Sequence, residues 1–180
     1  MSAQLVLAGV VLCALSGLPS LAGRRGALLT MPLLLAGAAA GLAGSALGLA
    51  GAVAAVDLPW SLPGAAFHIR IDALSAFFAA PVFALAAAGG LYGERYYPAS
   101  KRRGGWVRAF FGLMMGALAL VMSAANTILF LVAWEIVAVS AFLLVVTEDE
   151  ESGRRAGWAY LVASHVSTLA LFAAIGLLHA

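Results

Sequence analysis

The chain has 180 residues, of which 64% are hydrophobic and only 10% are charged. A soluble domain carries about 25% charged residues, so this composition indicates an integral membrane protein and excludes an ordinary soluble enzyme. The net charge of +2 is too small to indicate a nucleic-acid-binding surface. The single cysteine, Cys13, excludes a disulfide framework within the chain and a paired-cysteine metal or redox site.

Six stretches are long and apolar enough to cross a membrane as helices, which predicts an all-α integral membrane protein. We expect a single transmembrane domain over residues 1–180, with helices at about residues 3–22, 28–54, 73–92, 107–124, 127–146 and 157–178. In the second helix, Gly37 and Gly41 have the spacing of a small-residue packing face, which predicts close contact with a neighbouring helix. Pro32 and Pro81 lie near the ends of their helices, where a kink is expected rather than a break.

The connection between the second and third helices, residues 56–72, has a pattern of its own. Residues 67–72 alternate apolar and polar side chains, as a half-buried β-strand does. Turn-forming residues precede them, including Leu62-Pro63-Gly64. We therefore predict a short strand or hairpin in this loop. Asp72 is predicted to cap the third helix and Asn126 the fifth.

The basic residues predict the orientation of the chain. Nine of the ten lysines and arginines lie in or beside the odd-numbered connections between helices, and Arg70 is the exception. By the positive-inside rule, the odd connections are cytoplasmic and both termini lie on the outer side of a cytoplasmic (inner) membrane. The cluster Lys101–Arg103 in the third connection is placed to contact anionic lipid or a soluble partner.

Glu135 is the most informative residue, because it is the only ionisable side chain in residues 127–146. A carboxylate near the middle of a bilayer costs roughly 2.5–3.5 kcal/mol, and such groups usually mark ion or proton pathways. The alternative is a protonated glutamic acid that only forms a hydrogen bond with a neighbouring helix. In either case we expect Glu135 to face inward, on one helical face with Leu131, Val132, Ala138 and Val139.

The sixth helix carries a second polar feature. Tyr160, Ser164 and Thr168 recur every four residues and share one face, with His165 beside Ser164. Histidine relays protons near neutral pH, although His165 could also only form a hydrogen bond with an adjacent helix. We predict that Glu135 and His165 lie at comparable depth and face one interior. No metal site is predicted, since His179 is the nearest other histidine and lies far along the chain.

No nucleotide-binding, hydrolase or metalloprotease motif is present, so the sequence gives no support for catalysis or for a cofactor within this chain. Three passages do form a familiar pattern: LPWSLPGAAFHIRIDALSAFF, SAANTILFLVAWEIVAVSAFLLVV and YLVASHVSTLALFAAIGLL. They resemble the N-terminal part of the antiporter-like proton-translocating subunits of complex I, the Mrp Na⁺/H⁺ antiporters and the group 4 hydrogenases. The passage around His165 is most similar to hydrogenase-4 component B and formate hydrogenlyase subunit 3.

This resemblance implies the N-terminal part of a fold of about fourteen helices, in which Glu135 matches a fifth-helix glutamate that pairs with a lysine on a broken seventh helix. His165 matches, more loosely, a histidine of the hydrogenase-like branch. The sequence ends at Ala180, where that seventh helix would begin, so the resemblance implies a fragment or a protein completed by another polypeptide. Its implied partners are other membrane subunits of a redox complex, including one that supplies the lysine-bearing helix, and the lipid bilayer.

Three functions are compatible with these residues. The first is a proton-translocating subunit of a redox-driven complex, with Glu135 and His165 as the proton relay and Tyr160, Ser164 and Thr168 lining the path. The second is a structural or assembly subunit in which Glu135 only stabilises helix packing. The third is a small independent cation/H⁺ exchanger acting as a symmetric oligomer. A buried glutamate serves H⁺ and Na⁺ exchange equally well, so the coupling ion stays open.

Overall fold

The computed structural model describes residues 1–60, 66–97, 103–147 and 150–178. Over these ranges the chain is mostly helical, with one small antiparallel sheet. Six helical segments are long and apolar enough to cross a membrane. The elements are α1 Ser2–Leu15, a 3₁₀ turn Leu18–Ala22, α2 Arg24–Leu49, β1 Ala54–Leu58, β2 Phe67–Ile71, α3 Ala73–Tyr96, α4 Gly104–Ser123, α5 Thr127–Val146 and α6 Glu151–Leu178.

The first two predicted helices need correction at their ends. The predicted helix 3–22 is interrupted after Leu15, and its last turn is a 3₁₀ segment with a proline near its start. Pro19 has no N–H to continue an α-helix, which explains the interruption. The second helix ends at Leu49 and not near residue 54, because Gly51 adopts φ +91° and turns the chain toward β1. Pro32 and Pro81 lie inside continuous helices.

The predicted hairpin is confirmed. Strand β1 pairs with β2 in antiparallel register, with Val56 opposite Ile69 and Asp57 opposite His68. The predicted turn residues Leu62-Pro63-Gly64 lie outside the described residues. The hairpin packs against the connection between α4 and α5, where the Ala125 N–H donates to the His68 carbonyl oxygen at 2.9 Å. This contact joins two even-numbered connections at one end of the helix bundle.

Three of the later helices are longer than predicted, whereas α5 has the predicted bounds. Helix α3 continues to Tyr96 and α6 begins at Glu151, because charged residues that can face water extend both helices beyond their apolar stretches. Helix α4 begins at Gly104, a little before its predicted start. The predicted caps are confirmed: Asp72 accepts a hydrogen bond from the Ser75 N–H at 2.9 Å, and Asn126 accepts from two N–H groups of α5. The Ser75 backbone hydrogen bond lowers the pKa of Asp72 below its usual value.

Helices α1, α2, α3 and α4 form the buried core, around residues such as Val6, Cys13 and Phe83. The predicted small-residue face lies in this core. A Cβ atom added to Gly37 would lie 2.9 Å from the Cys13 sulfur, and one added to Gly41 would lie 2.4 Å from the Phe83 ring. Both distances are too short for non-bonded atoms, so the glycines permit this close packing.

Helices α5 and α6 lie outside that core. Helix α5 packs against α4, and α6 packs chiefly against α5. Arg103 joins the start of α4 to the end of α5, since its Nη1 donates to the Thr147 carbonyl oxygen at 3.2 Å. The other members of the predicted basic cluster, Lys101 and Arg102, lie outside the described residues. The described part of the chain buries few residues of α6, so most of its surface is exposed in this structure.

Candidate functional site

Glu135 lies near the middle of α5, on the side that faces α6. Its side chain is 31% exposed, and its Oε2 lies 3.5 Å from Nε2 of His165 on α6. Its other oxygen, Oε1, is buried and has no hydrogen-bond partner among the described residues. Because the two side chains approach to 3.5 Å, the prediction that they lie at comparable depth is confirmed. The separation exceeds the about 2.7–3.2 Å of a well-formed N–H···O bond, so a small side-chain rotation is needed to close it.

The orientation of the His165 ring limits where a proton can lie. Nδ1 is 2.9 Å from the Leu161 carbonyl oxygen, which can only accept a hydrogen bond, so Nδ1 carries a hydrogen. In a neutral imidazole Nε2 then carries none. A hydrogen bond between Nε2 and Glu135 Oε2 consequently needs one further proton, on either the carboxyl or the imidazole. The arrangement can thus hold a single proton that belongs to either residue.

Glu135 also borders an open apolar groove with a volume of about 420 Å³. The groove is lined by Leu113, Ile128, Leu131, Val132, Glu135, Ile136, Val139 and Phe172. Helices α4, α5 and α6 contribute these residues. Within the described part of the chain, the carboxyl group is the only ionisable group that the groove contacts.

Four residues of α5 were predicted to face inward together with Glu135, and two of them do so. Leu131 and Ala138 are 3% and 2% exposed, and both are buried in the helix bundle. Val132 and Val139 are 38% and 41% exposed, so their predicted burial is wrong. They lie on the other flank of Glu135 and line the open groove. Glu135 therefore lies at the edge of the α4–α5 contact, between a buried flank and an open one.

The polar residues of α6 do not all turn toward Glu135. Thr168 is buried, and its hydroxyl donates to the Ser164 carbonyl oxygen within α6 at 3.1 Å. Ser164 is half-buried, while Tyr160 is 41% exposed. His165, whose side chain is 49% exposed, is the member of this group that reaches the carboxyl group. A fully enclosed interior around the two residues, as the sequence predicted, is not formed by the described residues.

A second charged pair, which the sequence did not predict, joins α3 and α4. Arg108 lies inside α4, and its Nη2 is 2.9 Å from Oε1 of Glu94 on α3. The sequence held a partial signal, since both residues flank the same connection with opposite charge. Over the described residues, no group of three or more histidine, cysteine, aspartate or glutamate side chains could hold a metal ion. His179 lies outside those residues.

Comparison with known proteins identifies two similar proteins of Mycobacterium tuberculosis. They are "Uncharacterized protein MT0090" of strain CDC 1551 / Oshkosh and "Uncharacterized protein Rv0083" of strain ATCC 25618 / H37Rv. Each is 33% identical to this chain over 129 residues, which is 71% of the chain and 20% of the relative. The chain thus spans about a fifth of the length of these relatives. No family model matches the chain.

Proposed function

We propose that this chain is part of an antiporter-like, proton-translocating membrane subunit, and that Glu135 and His165 relay the proton. The observation that carries the proposal is the 3.5 Å approach of Glu135 Oε2 to His165 Nε2 between two apolar helices. Nδ1 of His165 donates a hydrogen bond to the Leu161 carbonyl oxygen. One added proton therefore has two alternative sites, Glu135 Oε2 and His165 Nε2. Two titratable groups within reach of one another can exchange a proton directly or through one water molecule.

The groove beside Glu135 supports a further part of the proposal. A carboxylate near mid-membrane is stabilised by protein or water rather than by lipid, yet the Glu135 side chain is 31% exposed beside an apolar groove. We infer that a further helix covers this groove and brings a cation, a lysine in the family that the sequence resembles. Such a helix would belong to a neighbouring membrane subunit or to another segment of a longer protein.

The redox part of the proposal rests on the resemblance alone. In the antiporter-like family, electron transfer takes place on other subunits that carry their own metal clusters, and the membrane subunit moves protons. We accordingly propose that this chain belongs to a redox-driven complex, such as a membrane-bound hydrogenase or an NADH:quinone oxidoreductase. Its orientation, with both termini on the outer side of the membrane, stays a prediction.

A purely structural role is the second candidate, and one observation favours it. Helix α6 packs chiefly against α5, and few of its residues are buried. A hydrogen bond between Glu135 and His165 would stabilise that limited contact without any proton transfer. In this case the two residues hold α6 in place, and the chain is an assembly subunit.

The test compares proton translocation and assembly in the complete complex. Glu135→Gln removes the titratable proton but keeps the size and a hydrogen-bonding group. Glu151→Gln is the matched control, because Glu151 is 71% exposed at the start of α6 and pairs with Arg155 on its own helix. We expect Glu135→Gln to assemble normally and to lose most proton translocation, and Glu151→Gln to keep it. Full translocation by Glu135→Gln contradicts the relay, and loss of assembly together with translocation supports the structural role.

A further inference from the structure

A histidine and an aspartate lie opposite each other in the hairpin formed by β1 and β2. The strands pair with Asp57 opposite His68, and Nδ1 of His68 contacts Oδ1 of Asp57. Successive side chains of a strand face opposite ways, so Arg70 shares this face, while Ile69 and Ile71 are buried on the other. The pair lies outside the six membrane-length helices and does not depend on the proposed proton relay.

The strand that carries this histidine is also joined to the start of α5. Strand β2 has β1 along one edge and the connection between α4 and α5 along the other. The Ala125 N–H donates to the His68 carbonyl oxygen at 2.9 Å, and Ile69 forms a bridge with Ala124. The next residue, Asn126, caps α5 by accepting from two N–H groups of its first turn. Loosening of the hairpin would therefore loosen the segment from which α5 begins.

Protonation of the His68 ring changes the strength of its contact with Asp57. Histidine side chains change charge between about pH 5 and pH 8. A neutral ring can still donate one hydrogen bond from Nδ1 to the carboxylate, whereas a protonated ring also brings a positive charge. Hydrogen bonds between two ionised groups are the stronger kind. The contact is consequently tighter at acidic pH, as long as Asp57 stays ionised.

Other charged groups lie near the pair, but Asp57 is the group in direct contact with the ring. Among the described residues they are Arg70 on the same strand, Asp72 at the cap of α3 and the α-amino group of Met1. The residues 124–126 on the other edge of β2 carry no ionisable side chain. Arg70 repels a protonated His68 and Asp72 attracts it, so their effects oppose each other. Asp57 therefore decides the sign of the pH dependence.

We propose that the Asp57–His68 pair is a pH-sensitive latch, which holds the hairpin closed and orders the start of α5 when His68 is protonated. The added stabilisation is present at acidic pH and is lost as the pH rises and His68 becomes neutral. The side chains of Asp57 and His68 are 74% and 32% exposed, so water screens the pair and its effect is modest. A cross-strand pair of this kind shifts the local opening equilibrium by up to about fivefold.

Hydrogen exchange of individual backbone amides tests the latch, measured by NMR on the purified full chain in micelles. Protection factors, corrected for the pH dependence of intrinsic exchange, are compared at about pH 5.5 and about pH 8. We expect the Ala125 amide and the two amides capped by Asn126 to be about two- to fivefold better protected at the lower pH.

Four variants separate the latch from a general effect of pH. His68→Gln and Asp57→Asn should each hold the protection near the level that the unmodified chain has at the higher pH. His68→Lys keeps a positive charge at both pH values and should hold the protection near the higher level throughout. Arg70→Gln is the matched control, since Arg70 is exposed on the same face of β2 opposite Ala55, and it should keep the pH dependence.

Circular dichroism at both pH values establishes that each variant is folded, and His68→Lys keeps the test valid if His68→Gln weakens the hairpin. A pH dependence that survives in a folded His68→Gln overturns the proposal. Equal protection of the Ala125 amide at both pH values in the unmodified chain overturns it as well. A pH-dependent Ala125 amide with unchanged amides in the first turn of α5 overturns the ordering of that helix. All of these outcomes are independent of proton translocation.

Discussion

The coupling between Glu135 and His165 can be measured with a double-mutant cycle of Glu135→Ala, His165→Ala and the double variant. A neutral hydrogen bond between transmembrane helices contributes about 0.6 kcal/mol on average and up to about 1.7 kcal/mol. Opposite charges 3.5 Å apart interact by about 5 kcal/mol at an effective dielectric constant of about 20. Exposure lowers that figure toward 1 kcal/mol or less where water reaches the pair. We expect a coupling energy of about 1 kcal/mol.

The assay is reversible unfolding of the purified chain in mixed micelles, followed by circular dichroism. Alanine keeps the helix propensity high, so each single variant reports chiefly the lost side chain. The control cycle pairs His165 with Glu151, about four helical turns away, and should be additive within about 0.5 kcal/mol. A coupling energy above about 2 kcal/mol would indicate a charged pair. A coupling no larger than that of the control cycle would refute the interaction, and with it the proton relay.

Two further predictions concern the helix bundle and a helix cap. Gly41→Ala should destabilise the chain, because the added Cβ lies 2.4 Å from the Phe83 ring. Gly176→Ala should be neutral or slightly stabilising, because a Cβ there has no neighbour within 4 Å among the described residues. Equal unfolding midpoints for the two variants would contradict the close packing of α2. The Ser75 hydrogen bonds lower the pKa of Asp72 in the folded chain, so the stabilisation by Asp72 is complete above its unfolded pKa of about 3.9 and is lost as the pH falls through the lower folded value. Unfolding midpoints between about pH 5 and pH 2 should therefore fall less steeply in Asp72→Asn than in the unmodified chain, and identical slopes would show that the cap does not titrate.

The sequence alone was sufficient for the features that depend on local pattern. Apolar stretches of the required length predict the six helices, because a membrane-crossing helix must satisfy its backbone internally and present apolar side chains to its surroundings. Alternation over residues 67–72 predicts β2, and the caps follow from the side chains of Asp72 and Asn126. The depth of Glu135 within α5 also follows from counting residues along the helix. None of these features requires knowledge of which helices are neighbours.

The features that decide the candidate sites depend on helix packing, which no local pattern contains. The rotation of α5 against α4 buries Leu131 and Ala138 but leaves Val132 and Val139 open, although all four lie three or four residues from Glu135. Only the packing of α6 on α5 brings Nε2 of His165 to 3.5 Å from the carboxyl group, and only the bond to the Leu161 carbonyl oxygen determines which nitrogen faces it. The Arg108–Glu94 pair likewise needs the ends of α3 and α4 to meet. Contacts between residues distant in sequence arise from the rotation and depth of whole helices, so the tertiary structure decides them.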